Sequence, residues 1–215
     1  MSLLHSNLRH LVLAAFLLLA TPICAASAGA IACGSKPIRL AFYEFGYFYF
    51  QTPSQQPQGI DKEIIDELIK RSGCVFQIQV MKRARIWEDL ANGNLDMSVS
   101  GIRNPERDQF AWFATYLSMK NYAVLHKSIK SIVHDFESFL AATTLQFGAV
   151  SSFKHGELQD QFLSKLRKAG RLQDSPDAEA LFRKLKENRV SGIFAQAPVS
   201  RKWLRELSME ADVAV

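Results

Sequence analysis

From residue 38 onward the apolar positions switch between two spacings. The run 38-IRLAFY-43 is β-rich and mostly apolar, which predicts a buried strand. In 60-IDKEIIDELIKRSG-73, Ile60, Ile64, Ile65, Leu68 and Ile69 recur at helical spacing. Asp61 near the start and Lys70-Arg71 at the end suit the helix dipole, and Gly73 supplies a stop. Residues 75-VFQIQVM-81 alternate as a second strand. A helix is predicted over 83-RARIWEDLANG-93 and a short strand over 95-LDMSVS-100. The order over 38–100 is therefore β-α-β-α-β, which implies parallel strands with right-handed crossovers.

Between the first strand and first helix lies 44-EFGYFYFQTPSQQPQG-59, a loop marked by Pro and Gly and unusually rich in aromatics. After residue 107, 110-FAWFATYL-117 and 122-YAVLHK-127 read as extended segments joining two halves. The second half predicts helices at 134–142, 153–169, 177–190 and 197–207, with strands at 144–150 and 192–195. Two α/β lobes joined by extended segments imply a cleft, and ligands of open α/β sheets bind at the carboxyl ends of the strands. The loops expected there are 43–59, 81–85, 98–107, 151–156 and 196–199.

Composition alters this picture mainly at the N-terminus. Residues 1–28 hold Arg9, no acid, the apolar run 11-LVLAAFLLLA-20 and an A-x-A pattern at Ala26-Ser27-Ala28. That is a secretory signal peptide, too short to span a membrane; an uncleaved anchor is the competing reading. The remainder carries 25 basic and 21 acidic residues. This mild excess, without a basic stripe interleaved with aromatics, excludes nucleic acid as a partner. Cys24 leaves with the signal, and Cys33 and Cys74 remain as an even pair in an oxidising compartment. A disulfide is expected, with two free thiols as the alternative. Cys74 precedes the second strand and Cys33 precedes the first, at the same sheet edge. No metal-ligand spacing is present, so neither metal nor cofactor is expected.

The candidate chemistry lies in 98-SVSGIRNPERDQFAWF-113, where Ser98, Ser100, Arg103 and Arg107 sit between two apolar segments. The planar fork of an arginine matches a carboxylate at two points. A solvated loop arginine is the competing reading for Arg107. Surface or interlobe ion pairs compete likewise for Arg83, Arg85 and Arg103. Of Tyr43, Phe45, Tyr47, Phe48 and Tyr49, at least one is expected to face the cleft, because five of seven consecutive residues do not share one strand face.

These segments together resemble the extracellular solute-binding proteins of family 3, the periplasmic binders of polar amino-acid uptake systems. The resemblance runs through 38-IRLAFYEFGYF-48, 59-GIDKEIIDELIKRSG-73 and 87-WEDLANGNLDMSVSGIRNPERDQFAWFATYL-117. It implies an α/β, two-lobed, periplasmic-binding-protein-like type II fold with mixed sheets and an interlobe cleft. Lobe one is then residues 29–118 and lobe two 119–215. It implies a monomer that binds a small carboxylate, an amino acid or related solute, and hands it to the membrane subunits of an ABC transporter. By resemblance, Arg107 takes the ligand carboxylate, Ser98 and Ser100 add hydrogen bonds, Tyr47 or a neighbour packs on the ligand, and the loop near Arg83 and Arg85 lines the site.

Two departures qualify it. Where amino-acid binders carry an aspartate for the ligand ammonium, this chain has Gln196, and Ser191 replaces another common aspartate, so either the ligand is not a standard amino acid or the lobe-two contact comes from elsewhere, such as Ser151, Ser152 or His155. The sequence also ends at 208-SMEADVAV-215, where the family's return to lobe one would begin, so that return is expected to be missing. Two other functions fit the architecture less well. An enzyme of the dehydratase type would need Glu44 or His155 as its acid or base. A ligand-sensing module for a signalling partner is the other.

Overall fold

The computed structural model describes residues 32–215; the expected signal peptide, residues 1–28, lies outside the described residues. The first sheet contains β1 (Ile38–Phe42), β4 (Phe76–Val80) and β5 (Met97–Ser98), in the order β4-β1-β5. All of its strands are parallel. Between β1 and β4 come a small antiparallel hairpin, β2 (Phe50–Gln51) and β3 (Pro57–Gln58), and helix α1 (Ile60–Ser72). Helix α2 (Arg83–Ala91) links β4 to β5.

Helix α1 begins where Gly59 takes φ 125°. A Cβ there would lie 2.3 Å from the carbonyl oxygen of Phe48, so only glycine fits. The helix ends on Gly73 in the left-handed conformation, its N–H donating to the carbonyl of Ile69. Cys74 follows directly and is bonded to Cys33. The disulfide ties the N-terminal segment to the start of β4, a closure that contributes roughly 2–4 kcal/mol in chain-entropy models.

The second sheet orders as β10-β6-β9-β7-β8. Its strands are β6 (Asn121–His126), β7 (Phe147–Val150), β8 (Leu172–Ser175), β9 (Gly192–Gln196) and β10 (Val213–Ala214). β7 runs parallel to β8 and β9, whereas β6 runs antiparallel to β9 and β10, so the sheet is mixed. Around it lie α3 (Phe136–Ala141), α4 (Glu157–Lys168), α5 (Ala178–Lys186) and α6 (Ala197–Glu206). α3 opens with a reciprocal cap between Asp135 and Ser138. α5 opens on Asp177, whose side chain accepts from the N–H of Ala180.

Several elements differ from the sequence reading. Residues 110–117 join no sheet; only 121–126 do. The aromatic content of 110–117 reads as a strand, but Phe113, Tyr116 and Leu117 line a cavity and Trp112 is exposed. β8 and β10 were not legible, because LQDS is short and polar and VA is only two residues long. The strand expected from 144 starts at Phe147, because the carbonyls of Ala142 and Leu145 are taken by the Arg171 side chain.

The aromatic loop also behaves differently. Tyr43, Phe45, Phe48 and Tyr49 are all buried. The constraint of one strand face does not apply, because the chain turns at Gly46, where φ is 57°. A Cβ on Gly46 would meet the Cα of Val199 at 2.4 Å, so this turn seats the loop against the start of α6. Tyr43, Phe45 and Phe48 thereby join one hydrophobic cluster with Ile193, Val199 and Trp203 from the second sheet and its helices. A second cluster of Phe139, Phe147, Phe162 and Phe194 fills the other side of that sheet. Leu40, Phe42, Tyr49 and Ile65 form a third under α1. Each such phenylalanine contributes roughly 1.5–3 kcal/mol through burial.

Candidate functional site

A cavity of about 300 Å³ opens beside the loop that follows β5. Phe45, Phe48, Phe113 and Phe153 give it aromatic walls, Ser100–Arg103 form one side, and Gln196 at the end of β9 closes another. Tyr116, Leu117 and Met119 line it from the irregular segment before β6 and are partly exposed at its rim. No aspartate or glutamate lines it.

Two arginines lie immediately behind this wall. Arg107 occupies a short 3-10 turn (Arg107–Gln109) and is buried. Its guanidinium stacks on Trp87, 3.6 Å from the ring centroid. It donates to the carbonyls of Ile102 at 2.8 Å and Ser152 at 2.7 Å. The first acceptor follows β5 and the second follows β7, so one side chain joins the loops of both sheets. Burial pulls its pKa down to about 10. Gly101 leaves room for Trp87; a Cβ there would approach the indole Cη2 at 3.1 Å.

Arg83, the first residue of α2, is also buried. Its guanidinium lies between the rings of Tyr43 and Phe153, 4.5 and 4.4 Å from their centroids. It donates to the Tyr43 hydroxyl and, more weakly at 3.5 Å, to the carbonyl of Ser100. Its Nε is sealed from solvent and has no partner. Burial, and then the positive charge of Arg107, lower its pKa to about 9.

On the other face of Ser100 sits Asp61, buried in the first turn of α1. Its carboxylate accepts from the Ser100 hydroxyl at 2.7 Å and the Tyr116 hydroxyl at 2.9 Å. The Tyr116 oxygen in turn accepts from the N–H of Ser100 at 2.6 Å. Ser100 is held in the left-handed region, at φ 49°, by this network. Burial raises the Asp61 pKa, against the two hydrogen bonds. Burial, and then the Asp61 charge, push Tyr116 up to about 12.

His155 completes the surroundings, stacked near Phe153 and Phe194. The Asn121 amide lies 2.7 Å from its Nδ1, and its Nε2 is buried without a hydrogen-bond partner. Burial, and then the charge of Arg83, lower its pKa to about 3. The ring is therefore neutral near pH 7 and is a poor general base.

The candidate residues separate into two groups. Ser100 and Gln196 line the cavity and Arg107 lies behind it. Ser98, Tyr47 and Arg85 are elsewhere. The Ser98 hydroxyl faces into its own sheet and donates to the Ala41 carbonyl at 2.8 Å. Tyr47 faces a separate surface depression beside Pro57 and Lys62; Phe45 and Phe48 are the loop aromatics at the cavity. Arg85 points outward from α2 and pairs with the buried Asp89 at 2.9 Å, because two residues along the helix turn it to the face opposite Arg83. Arg103 lines the cavity but is paired with Asp108 at 2.9 Å. The sequence reading missed Trp87, Phe113, Tyr116 and Phe153. A tryptophan one turn after Arg83 on a short amphipathic helix was the available signal, but such residues are more often core. Among the described residues no group of three or more His, Cys, Asp or Glu is placed to hold a metal.

Two sheets, joined by irregular segments, thus bring strand-end loops and buried arginines together around one cavity. The chain belongs to the bacterial extracellular solute-binding proteins, family 3, whose profile matches residues 41–205. No curated protein sequence matches it. Among solved structures it is similar to an ancestral arginine-binding protein bound to arginine, at 18% identity and a TM-score of 0.69, over 83% of this chain and 77% of that one. It is also similar to the arginine-, lysine-, histidine-binding protein of Geobacillus stearothermophilus, at 15% identity and a TM-score of 0.68, over 83% and 74%. A third is an ancestral amino acid-binding protein described as a precursor of cyclohexadienyl dehydratase, at 19% identity and a TM-score of 0.64, over 80% and 74%. The fold is the two-lobed type II periplasmic-binding-protein fold. Among the described residues no helix is long and apolar enough to cross a membrane.

Proposed function

We propose that this protein binds a small carboxylated solute, an amino acid or a related compound, between lobes comprising residues 29–118 and 119–215. It then delivers the solute to the membrane subunits of an ABC transporter. The signal-like N-terminus supports action outside the cytoplasm, in the periplasm. Arg107 is the carboxylate anchor in this reading, with Ser100 and Gln196 as neutral hydrogen-bonding groups and Phe45, Phe48 and Phe153 as apolar walls.

The observation that carries the proposal is the partnership of Arg107. A buried guanidinium that hydrogen-bonds only to neutral carbonyls, from Ile102 and Ser152, has no carboxylate bonded to it; Glu106 and Asp160 act on its charge without a hydrogen bond. A ligand carboxylate accepts the same two donors more strongly and supplies the missing charge. Because one acceptor belongs to each sheet, exchange of Ser152 for ligand couples binding to relative movement of the lobes.

The test is calorimetric titration with a panel of carboxylates and amino acids, on the parent protein and on Arg107→Ala. Carboxylates are expected to bind the parent, with roughly 100-fold weaker binding to the variant. Equal affinity for both proteins removes Arg107 from the site.

A further inference from the structure

Arg83 and Arg107 share one aromatic surface, with guanidinium carbons 5.9 and 3.6 Å from the centroid of the Trp87 ring. Two like charges confined in an apolar box repel each other, and no carboxylate hydrogen-bonds to either of them. Arg107 meets two carbonyls, and Arg83 meets a phenol hydroxyl and one long carbonyl contact. Asp61 is spent on Ser100 and Tyr116 and is sealed from the cavity. Asp160 accepts from the backbone N–H of His155, and with Glu106 it favours the charged form of Arg107. None of these three carboxylates is a hydrogen-bond partner of either arginine. Arg83 Nε and Trp87 Nε1 are N–H groups buried without acceptors around the same rings, and His155 Nε2 is buried there without a partner. An unpaired buried donor is costly, and an unpaired buried charge more so. The region thus holds two cationic forks and partnerless N–H groups on Arg83 and Trp87; no carboxylate lines the adjoining cavity of about 300 Å³, and Glu44 and Asp177 line the small cavity that Arg83 itself reaches.

Resting on the reading that this region binds a carboxylated solute, we propose that the preferred ligand is a small dicarboxylate. One carboxylate takes the Arg107 fork and the other takes Arg83, and no ammonium group is recognised. Ser152 and Phe153, on the loop after β7, cover the two arginines, one by its carbonyl and one by its ring. The ligand replaces both when that loop moves away. Gln196 suits this ligand, since its neutral amide donates to an acid without attracting a cation.

The test compares succinate, glutarate and adipate with their monomethyl esters and with L-glutamate, by calorimetric titration of the purified protein. The ester keeps the carbon frame and removes one charge, and glutamate keeps both carboxylates and adds an ammonium. The best diacid is expected to bind at least about 10-fold more tightly than its ester and than L-glutamate, from the loss of one charged hydrogen-bonding pair. Arg83→Gln is expected to erase the difference between acid and ester, and the exposed Arg183→Gln to preserve it. The comparison of acid and ester on the parent protein needs no variant, so it stands even where Arg83→Gln does not fold. Equal affinity for acid and ester, or tighter binding of L-glutamate than of any diacid, overturns the dicarboxylate. The single-carboxylate reading then survives, provided that binding is lost in Arg107→Ala. No binding by any of these compounds or by other amino acids overturns both.

Discussion

Arg171, in the turn leading into β8, is as deeply buried as Arg107 and Arg83 at the cavity, yet it lives in a different chemical setting. Its guanidinium donates to four carbonyls, those of Phe139, Leu140, Ala142 and Leu145, each at 2.8–2.9 Å. Three of the four acceptors belong to the C-terminal end of α3, where the helix dipole is negative and the last carbonyls have no helical partner. The charge and the donors are satisfied together. Arg83 instead leaves Nε without a partner, and Arg107 spans two loops that belong to different sheets. Burial of an arginine therefore does not mark a binding site. On the proposed reading, what marks one is burial with donors left over and no negative end of a helix or carboxylate bonded to them.

The largest effect that tests this contrast is on stability. Arg171→Met strands four carbonyls and is expected to cost about 3–5 kcal/mol in urea unfolding, with ligand affinity unchanged once corrected for folded fraction. Arg107→Met is expected to cost only about 1–2 kcal/mol in stability, since its two carbonyls lie on loops that water reaches. A larger stability cost at Arg107 than at Arg171 would break the comparison. In binding the order reverses, and Arg107→Met is expected to lose about 2–3 kcal/mol of carboxylate affinity by calorimetry.

A smaller effect concerns pH. His155 is held neutral in the folded protein, with a pKa of about 3, well below its ordinary value. The unfolded chain therefore binds a proton more readily. The stabilisation is complete above the ordinary imidazole range and is lost as pH falls towards about 3, by roughly 2–4 kcal/mol. Asp61 acts in the opposite sense, because its raised pKa makes the folded state hold a proton more tightly and gain stability as pH falls. Thermal melts across pH 7 to 4 are expected to flatten in His155→Gln and to steepen in Asp61→Asn. An unchanged profile in His155→Gln removes the imidazole as the source.

The smallest effect sharpens the cavity side alone. Tyr116→Phe deprives Asp61 of one hydrogen bond and the Ser100 N–H of its acceptor. A loss of about 1–2 kcal/mol in denaturant unfolding is expected. No measurable loss would show that water replaces the phenol and that Ser100 does not depend on it.

Much of the first sheet could be read from the chain. The spacing in 60-IDKEIIDELIKRSG-73 and the stop at Gly73 depend on contacts within one helix, and the observed helix ends where that local chemistry says it should. The β-α-β-α-β order likewise follows from local periodicity, and β1 lies between β4 and β5 in parallel. β8 was missed because a short polar edge strand is defined by its partner β7 rather than by its own residues.

Sequence by itself determined the periodic elements, the cysteine pair and the prominence of Arg107, because each rests on residues close together in the chain or on the fixed chemistry of one side chain. Tertiary structure decided which arginines are paired. Arg83 and Arg85 are two residues apart, yet a turn of about 200° along the helix sends one into an aromatic box and the other to Asp89. It also decided that Phe45 and Phe48, rather than Tyr47, reach the cavity, because Gly46 breaks the alternation that a strand would impose. The partners of Arg107 come from residues 5 and 45 positions away. No local pattern encodes whether such distant carbonyls satisfy a charge or leave it available.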